Sequence, residues 1–315
     1  MFFQNKKVFV TGGAGFIGSH VIDRLVREGA EITCIDNLSA GNIKNLEHNI
    51  NEIEFIKGDI RNKQLIDNLT RNKDVVIHIA ANASVPSSVS NPYYDFESNV
   101  VGTFNILRAA VECKVEKVMY ASSAAVYGNP IYIPMDEKHP LAPVSPYGAT
   151  KLAGERMGFA YKETYGLNFA AVRIFNTYGP RQPRYVMYDF VKKLLNNPEK
   201  LEVLGTGRQV RDYSYVEDTV TAMLIVAEKG DDLYNIAGGN PVSIKELAEM
   251  MVEELAPCAE IEYGHETWKG DIEVLSADIG KIKSLGFVPK TGLKEGLLKM
   301  IEFTRESILN ENMLY

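Results

Sequence analysis

The feature that narrows the fold most is a glycine turn set between an apolar run and an amphipathic one. Lys7–Val10 reads as a short buried strand and runs directly into TGGAGFIGSH, where Gly12, Gly15 and Gly18 stand three apart. Ile17, Val21, Ile22, Leu25 and Val26 then recur at helical spacing up to a stop at Gly29. Early glycines permit a tight turn and close approach of backbone to a ligand, and the last lets the helix pack on its strand. The start of that helix offers free N–H groups and a partial positive charge to a pyrophosphate. A strand–turn–helix needs no ligand to be stable, so the turn alone does not decide. Glu31–Asp36 (EITCID) adds a second strand, and Asp36 ends it roughly 20 residues past the glycines, where an acid accepts from the adenosine ribose hydroxyls. No Lys or Arg follows until Lys44, which disfavours a 2′-phosphate. The expected cofactor is NAD rather than NADP.

The alternation continues. Ile53–Ile56 is strand-like and ends at Gly58-Asp59-Ile60, where Asp59 either reaches the adenine amino group or forms a plain turn. Asp74–Ala81 reads as a buried strand whose small end residues, Ala80 and Ala81, suit a flat cofactor. His78 lies inside that apolar run and reads as a satisfied core histidine. A long amphipathic helix is expected over Asn99–Glu112, then a strand over Lys117–Tyr120, after which Ser122 and Ser123 emerge where a nicotinamide would lie. Strands and helices at this rhythm predict an α/β fold, a Rossmann-type doubly wound parallel sheet. Cofactors bind such sheets outside the carboxyl ends of the strands.

SPYGATK comes next. Ser145 is a good N-cap, Pro146 suits the first helical position, and Tyr147 and Lys151 stand one turn apart on a shared face. A phenol beside a fixed ammonium can serve as a base. Bringing a tyrosine from its usual pKa of about 10 to near 7 takes about 4 kcal/mol, within reach of one or two close positive charges. Tyr188 and Lys192 repeat the spacing, so the first pair is distinguished by its company and not by its interval.

The 315 residues are 45% hydrophobic with a net charge of −7, which argues against nucleic acid or an anionic membrane as the main partner. Three scattered cysteines and five histidines without ligand spacing suggest neither a disulfide framework nor a metal site. The start lacks a signal-peptide layout and no apolar run approaches a membrane span, so the cytoplasm is expected.

TGGAGFIGSH, Asp36, GDI at 58–60, HIAA at 78–81, Asn99, SSAAVYG, SPYGATK, RIFNTYGPR and RDYSYVED follow one another in an order that resembles the extended short-chain dehydrogenase/reductase family, specifically its nucleotide-sugar epimerases of the UDP-glucose 4-epimerase type. The resemblance implies a dinucleotide domain over residues 1–176, with 216–237 returning to it. It also implies a smaller α/β domain over 177–215 and 238–315 that closes on a nucleotide-sugar. It implies catalytic roles for Ser123, Tyr147 and Lys151. NAD would lie against Gly12, Gly15, Phe16, Ile17, Gly18, Asp36, Asn37, Asp59, Ile60, Ala80, Ala81, Asn99, Tyr147 and Lys151. The substrate would meet Ser123, Tyr147, Asn176, Arg184, Arg211, Trp268 and Asp271. A homodimer through a four-helix bundle of the helices near Asn99–Glu112 and Tyr147–Thr164 is also implied.

Two alanines sharpen this. Family dehydratases and decarboxylases carry an acid just after the catalytic Ser or Thr, whereas this chain has Ala124 and Ala125. Methyl groups transfer no protons, which favours 4-epimerisation through a transient 4-keto sugar, or simple keto reduction. The chain departs from the family at ETWKGD, where Trp268 replaces a common arginine, and in the loop PRQPRYVMYDF, so GDP- or CDP-linked and modified sugars stay open beside UDP-glucose. A non-catalytic NAD-binding protein is the remote alternative.

In the second half, Phe169–Ile174 reads as a strand and Asn176 as a substrate amide or a turn cap. Pro180–Arg184 is a rigid basic loop, and Leu201–Leu204 a short strand. By the same resemblance Arg211 matches the family's diphosphate-binding arginine, whose fork suits phosphate oxygens. Val216 and Asp218 start a helix for which Asp218 is a possible cap, Ser243 opens another with Glu246 in capping-box position, and an amphipathic helix spans Leu293–Ile308.

Overall fold

The structure, a computed structural model, describes residues 1–264 and 272–312. The first half builds β1 (Lys7–Thr11), α1 (Phe16–Arg27), β2 (Glu31–Asp36), β3 (Ile53–Lys57), α2 (Lys63–Leu69), β4 (Val75–His78), α3 (Val85–Ser90), α4 (Pro92–Phe96), α5 (Gly102–Glu112) and β5 (Lys117–Ser123). Then come α6 (Pro146–Tyr165), β6 (Phe169–Ile174), β7 (Asn176–Tyr178), α7 (Val186–Asn196), β8 (Lys200–Val203) and β9 (Val210–Tyr215). The chain continues through α8 (Val216–Lys229), β10 (Leu233–Ile236), β11 (Pro241–Ser243), α9 (Ile244–Leu255), β12 (Glu260–Tyr263), β13 (Val274–Leu275), α10 (Gly280–Ser284) and α11 (Leu293–Asn312).

Seven of these strands form one parallel sheet in the order β10-β6-β5-β4-β1-β2-β3. Helices α1 and α8 cover one face, and α2, α5 and α6 the other. The pleat explains why the middle of β1 is apolar on both faces: Val8 and Val10 pack with Val21, Ile22 and Leu25 of α1, whereas Phe9 packs with Ile106 and Leu107 of α5. Burying Phe9 fully contributes about 2–3 kcal/mol, so its replacement by Ala would loosen both the sheet and α5. Strand order reverses between β1 and β4, which leaves a crevice past their carboxyl ends.

A smaller layer completes the cleft. β11, β9 and β13 pair, with β7 on β9, and β8 pairs with β12. Although α8 and β10 follow β9 in sequence, β10 is the edge strand beside β6 in the main sheet. Among the described residues no helix is long and apolar enough to cross a membrane.

Several elements differ in extent from the sequence expectation. The strand expected over 74–81 stops at His78, because the N–H groups of Ile79 and Ala80 turn to the carbonyl and hydroxyl of Thr11. The helix expected from Asn99 begins as a wide π-helical turn over Glu97–Val101 and becomes α5 only at Gly102. Asp218 does not cap α8: it accepts from the N–H groups of Lys290 and Thr291, 72 and 73 residues away. Ser243 and Glu246 do form a capping box at the start of α9.

Candidate active site

A cleft of about 920 Å³ runs from the glycine turn across the ends of β1, β4 and β5 to β7 and β9. At one end, Gly12 takes φ +75°, and a Cβ there would sit 2.8 Å from the Ala80 backbone, so β1 and β4 approach as only glycine allows. A side chain at Gly18 would overlap the Gly12 carbonyl. Gly15 is the N-cap of α1 and supplies no side-chain cap, and the first turn carries no acid. The first N–H groups of α1 are therefore left for an anion. Phe16, Ile17, Asn37, Ile60, Ala80 and Ala81 line this end with Asp36 and Asp59.

Both carboxylates here are held. Asp36 accepts from Ala14 N–H at 3.0 Å and Leu38 N–H at 2.8 Å. Burial raises its pKa against the pull of those two N–H groups. Asp59 is half-buried, which would raise its pKa, but Arg61, bonded through Nε and Nη2, and Asn37 at 2.9 Å hold it below the usual value. Each Asp36 oxygen accepts one bond and retains a lone pair for a ribose hydroxyl, whereas the Asp59 oxygens are already taken up by the backbone N–H, Nε and Nη2 of Arg61 and by Asn37. A pyrophosphate cradle, an acid at the end of β2 and a small-residue wall at the end of β4 fit a dinucleotide, and NAD is the cofactor they fit.

At the other end stand Ser123, Tyr147 and Lys151. The Ser145 hydroxyl accepts from Gly148 N–H at 3.1 Å, Pro146 fills the first helical position, and Tyr147 N–H donates to Ser88 Oγ at 3.1 Å. This fixes the first turn of α6 and with it the phenol. Burial pushes the Tyr147 pKa strongly upward, and the Ser123 hydroxyl works against that push. Burial lowers the Lys151 pKa to about 7, against the pull of Glu155 and Asp95. Its ammonium lies 4.5 Å from the centroid of the Tyr120 ring. The spacing of Tyr147 and Lys151 led us to expect a phenolate favoured by a nearby cation. In the fold, burial penalises each ion separately, so the phenolate gains only in company with positive charge.

Placement of the remaining candidates is mixed. Asn99 lies behind the cleft lining. Its amide donates to Asp95 at 3.1 Å and Thr150 at 3.0 Å, and its carbonyl oxygen accepts from Asn82 N–H at 2.7 Å. His78 is a satisfied core group. Thr11 Oγ1 accepts two backbone N–H groups and so donates to His78 Nδ1 at 2.7 Å, which leaves Nε2–H to donate to Thr103 at 2.9 Å. Asn176 lines the cleft, and its buried Oδ1 meets no hydrogen-bond donor among the described residues, as fits a donor from a ligand. Arg211 lines it too, with Nη1 bonded to the Val210 carbonyl at 2.8 Å. Arg184 and Tyr185 reach across the cleft to the same acceptor, the Ala83 carbonyl, at 3.0 and 2.9 Å. Trp268 and Asp271 lie outside the described residues.

Ser122 lines the cleft beside Ser123, but its hydroxyl turns away from it. β5 runs on through Ser123, successive side chains alternate, and the Ser122 hydroxyl points back to Glu155 at 2.5 Å. The sequence reading missed Glu155 together with its partner Arg173, Tyr185, and the Asp95–Thr150 pair. Only the first left a signal, since Tyr147, Lys151 and Glu155 fall at i, i+4 and i+8.

Among the described residues, Asp36 and Asp59 are the only carboxylates lining the cleft, both at the dinucleotide end, while Ala124 and Ala125 line the wall beside Ser123. The fold and site together are those of an NAD-dependent enzyme of the extended short-chain dehydrogenase/reductase type. The chain belongs to the family described as GDP-mannose 4,6 dehydratase, whose family pattern matches residues 9–300. It is 36% identical over 310 residues to a UDP-glucose 4-epimerase of Mycolicibacterium smegmatis, covering 95% of this chain and 98% of that one. It is 34% identical over 316 residues to a dTDP-glucose 4,6-dehydratase of Actinoplanes sp., covering 95% and 98%. Among solved structures, the UDP-glucose 4-epimerase of Thermus thermophilus in complex with NAD superposes with a TM-score of 0.88 at 32% identity, covering 95% of this chain and 99% of that one.

Proposed function

We propose that this protein is an NAD-dependent nucleotide-sugar 4-epimerase of the UDP-glucose/UDP-galactose type. The observation that carries the choice of epimerase over dehydratase is the methyl wall: Ala124 and Ala125 stand beside Ser123 and Tyr147, where elimination across C5 and C6 would need a group that transfers a proton. The nucleotide-sugar lies between the unit formed by 1–176 with 216–237 and the unit formed by 177–215 with 238–315. Arg211 and Asn176 hold its nucleotide side and Arg184 its reacting side. NAD, which the glycine turn and Asp36 would hold, would supply a reversible hydride acceptor for the sugar C4 and a second positive charge. Tyr147 takes the proton of the 4-hydroxyl and gives it back, and Ser123 donates a hydrogen bond to the same oxygen. Lys151 supplies the positive charge that the phenolate needs. A second copy of the chain is the expected partner, across a face where Val101, Phe104 and Tyr165 are exposed; sedimentation would show a dimer.

The test is incubation of the purified protein with UDP-galactose, without added cofactor, and chromatography of the products. UDP-glucose should form, and deuterium placed at C4 should stay on carbon. Failure to invert any member of a UDP-, GDP- and CDP-sugar panel overturns the reading, and net consumption of NADH would identify a 4-keto reductase instead.

A further inference from the structure

We propose that the buried ion pair of Glu155 and Arg173 is a positioning device for the Ser–Tyr–Lys set, fixing the charge beside Lys151 on one side and the strand end bearing Ser123 on the other. The proposal rests on the catalytic reading of this cleft given above. Glu155 lies one turn beyond Lys151 on α6, and Arg173 on β6 is the register partner of Ser122 on β5. The guanidinium grips the carboxylate with two bonds, Nε to Oε1 at 3.0 Å and Nη2 to Oε2 at 2.8 Å, and both side chains are nearly sealed from solvent, at 2% and 1% exposure. Ser122 donates to the same Oε1 at 2.5 Å. Arg173 is braced in turn by the Tyr127 ring, 4.6 Å away, and by the Glu137 carbonyl at 3.4 Å.

Stability does not explain such a pair. Burying each ion costs several kcal/mol, and apolar side chains of similar volume commonly serve the fold as well. Its location does explain it. The groups facing Lys151 are Glu155 and Tyr147 on its own helix, Asp95 on α4, the Tyr120 ring on β5 and His78 on β4. His78 is bonded as a neutral imidazole, and the Asp95 oxygens are shared among Thr150, Asn82 and Asn99. Glu155 is thus the carboxylate on the Lys151 helix itself, and Arg173 keeps it aimed. The same carboxylate pins Ser122, and the pleat then turns Ser123 toward the cleft.

Two readouts on the NAD holoenzyme test this: the alkaline limb of kcat for UDP-galactose, and the ionisation of Tyr147 followed as tyrosinate absorbance with Tyr147→Phe subtracted. Removing the Glu155 charge makes Lys151 lose its proton at lower pH. Glu155→Gln is therefore expected to move the alkaline limb down by about one pH unit and the Tyr147 midpoint up by a similar amount. That variant strands Arg173 without a partner and endangers the fold. Glu155→Gln/Arg173→Met removes both charges while keeping an acceptor for Ser122, and should shift both readouts in the same directions by less. Ser122→Ala keeps the pair and should lower kcat several-fold without moving either titration. A folded charge variant with wild-type kcat and unmoved titrations overturns the proposal. If neither charge variant folds, unchanged kcat in Ser122→Ala overturns it. Shifted tyrosinate titration in a protein that inverts no sugar would uphold the positioning and reject the epimerase reading.

Discussion

The two ends of the cleft treat charge in opposite ways. At the dinucleotide end the charged groups are carboxylates already engaged, Asp36 by two backbone N–H groups and Asp59 by Arg61 and Asn37. At the reacting end the charged groups are Lys151 and Arg184, beside the neutral hydroxyls of Ser123 and Tyr147, with no carboxylate lining that end among the described residues. A fixed acid recognises a ligand because its protonation does not change. A site that must hold one proton and return it needs groups whose protonation can change, and Lys151, brought by burial to about 7, is such a group.

The comparison breaks most visibly at Tyr147. Tyr147→Phe removes the reacting oxygen but leaves the ring, the α6 cap and the whole dinucleotide end in place. We expect kcat to fall about 10³-fold, with NAD content and thermal midpoint unchanged. Near-native turnover would mean that the proton is handled elsewhere. Asp36→Ala probes the other end. Losing a charged acceptor for the ribose should cost about 1.5–3 kcal/mol of NAD affinity, roughly 10- to 100-fold, while kcat at saturating NAD stays within a few-fold of wild type. An unchanged dissociation constant for NAD would remove Asp36 from the recognition end.

How far each end was legible in the sequence follows from the range of the interactions that build it. The glycine turn, Asp36, the Ser145 cap with Pro146 and the Ser243–Glu246 box are local, set by residues within a turn or two of one another, so the sequence displays them directly. Ser122 lines the cleft as expected, but its hydroxyl turns to Glu155, because which serine aims its hydroxyl outward depends on how far β5 runs before it ends. The helix expected from Asn99 starts as a π turn; that stretch is tied by Asn99 to Thr150, 51 residues on, a link no spacing reveals. The spacing does reveal that Glu155 shares a face with Tyr147 and Lys151, but not that a strand arginine answers it. Asp218 makes the same point, since its N–H donors come from a loop more than seventy residues later in the chain.

Beneath both ends runs a neutral floor. The chain Thr11–His78–Thr103 continues from the Thr103 hydroxyl to the Asn99 carbonyl at 2.6 Å, and burial holds the His78 pKa down to about 3. Below pH about 6.5 the unfolded chain binds a proton at this position that the folded chain does not. Stability due to neutral His78 is therefore complete above that value and falls as pH drops through the window toward 3, at up to about 1.4 kcal/mol per pH unit. His20, lowered by burial to about 4, adds in the same sense. Urea unfolding between about pH 6 and pH 4.5 should show this slope in the wild type, and His78→Gln should reduce it by close to one proton whatever its effect on stability at neutral pH. An unaltered slope would mean that the floor is not neutral.

The smallest effect is expected where the two ends meet the loop that crosses between them. Arg184 is half-buried, its Nη2 shares the Ala83 carbonyl with the Tyr185 hydroxyl, and its guanidinium lies 5.1 Å from the Tyr185 ring centroid. Arg184→Gln keeps a donor of shorter reach and lets Tyr185 retain its bond to Ala83, so the loop should stay in place. What is lost is one charge on the substrate side, partly screened by solvent and worth about 1 kcal/mol. KM for the nucleotide-sugar should rise about three- to tenfold, with kcat and NAD affinity unchanged, as for contacts made equally with substrate and transition state. A fall in kcat with constant KM would instead move Arg184 into the proton-handling set, and the division between a recognising end and a reacting end would have to be redrawn around the loop.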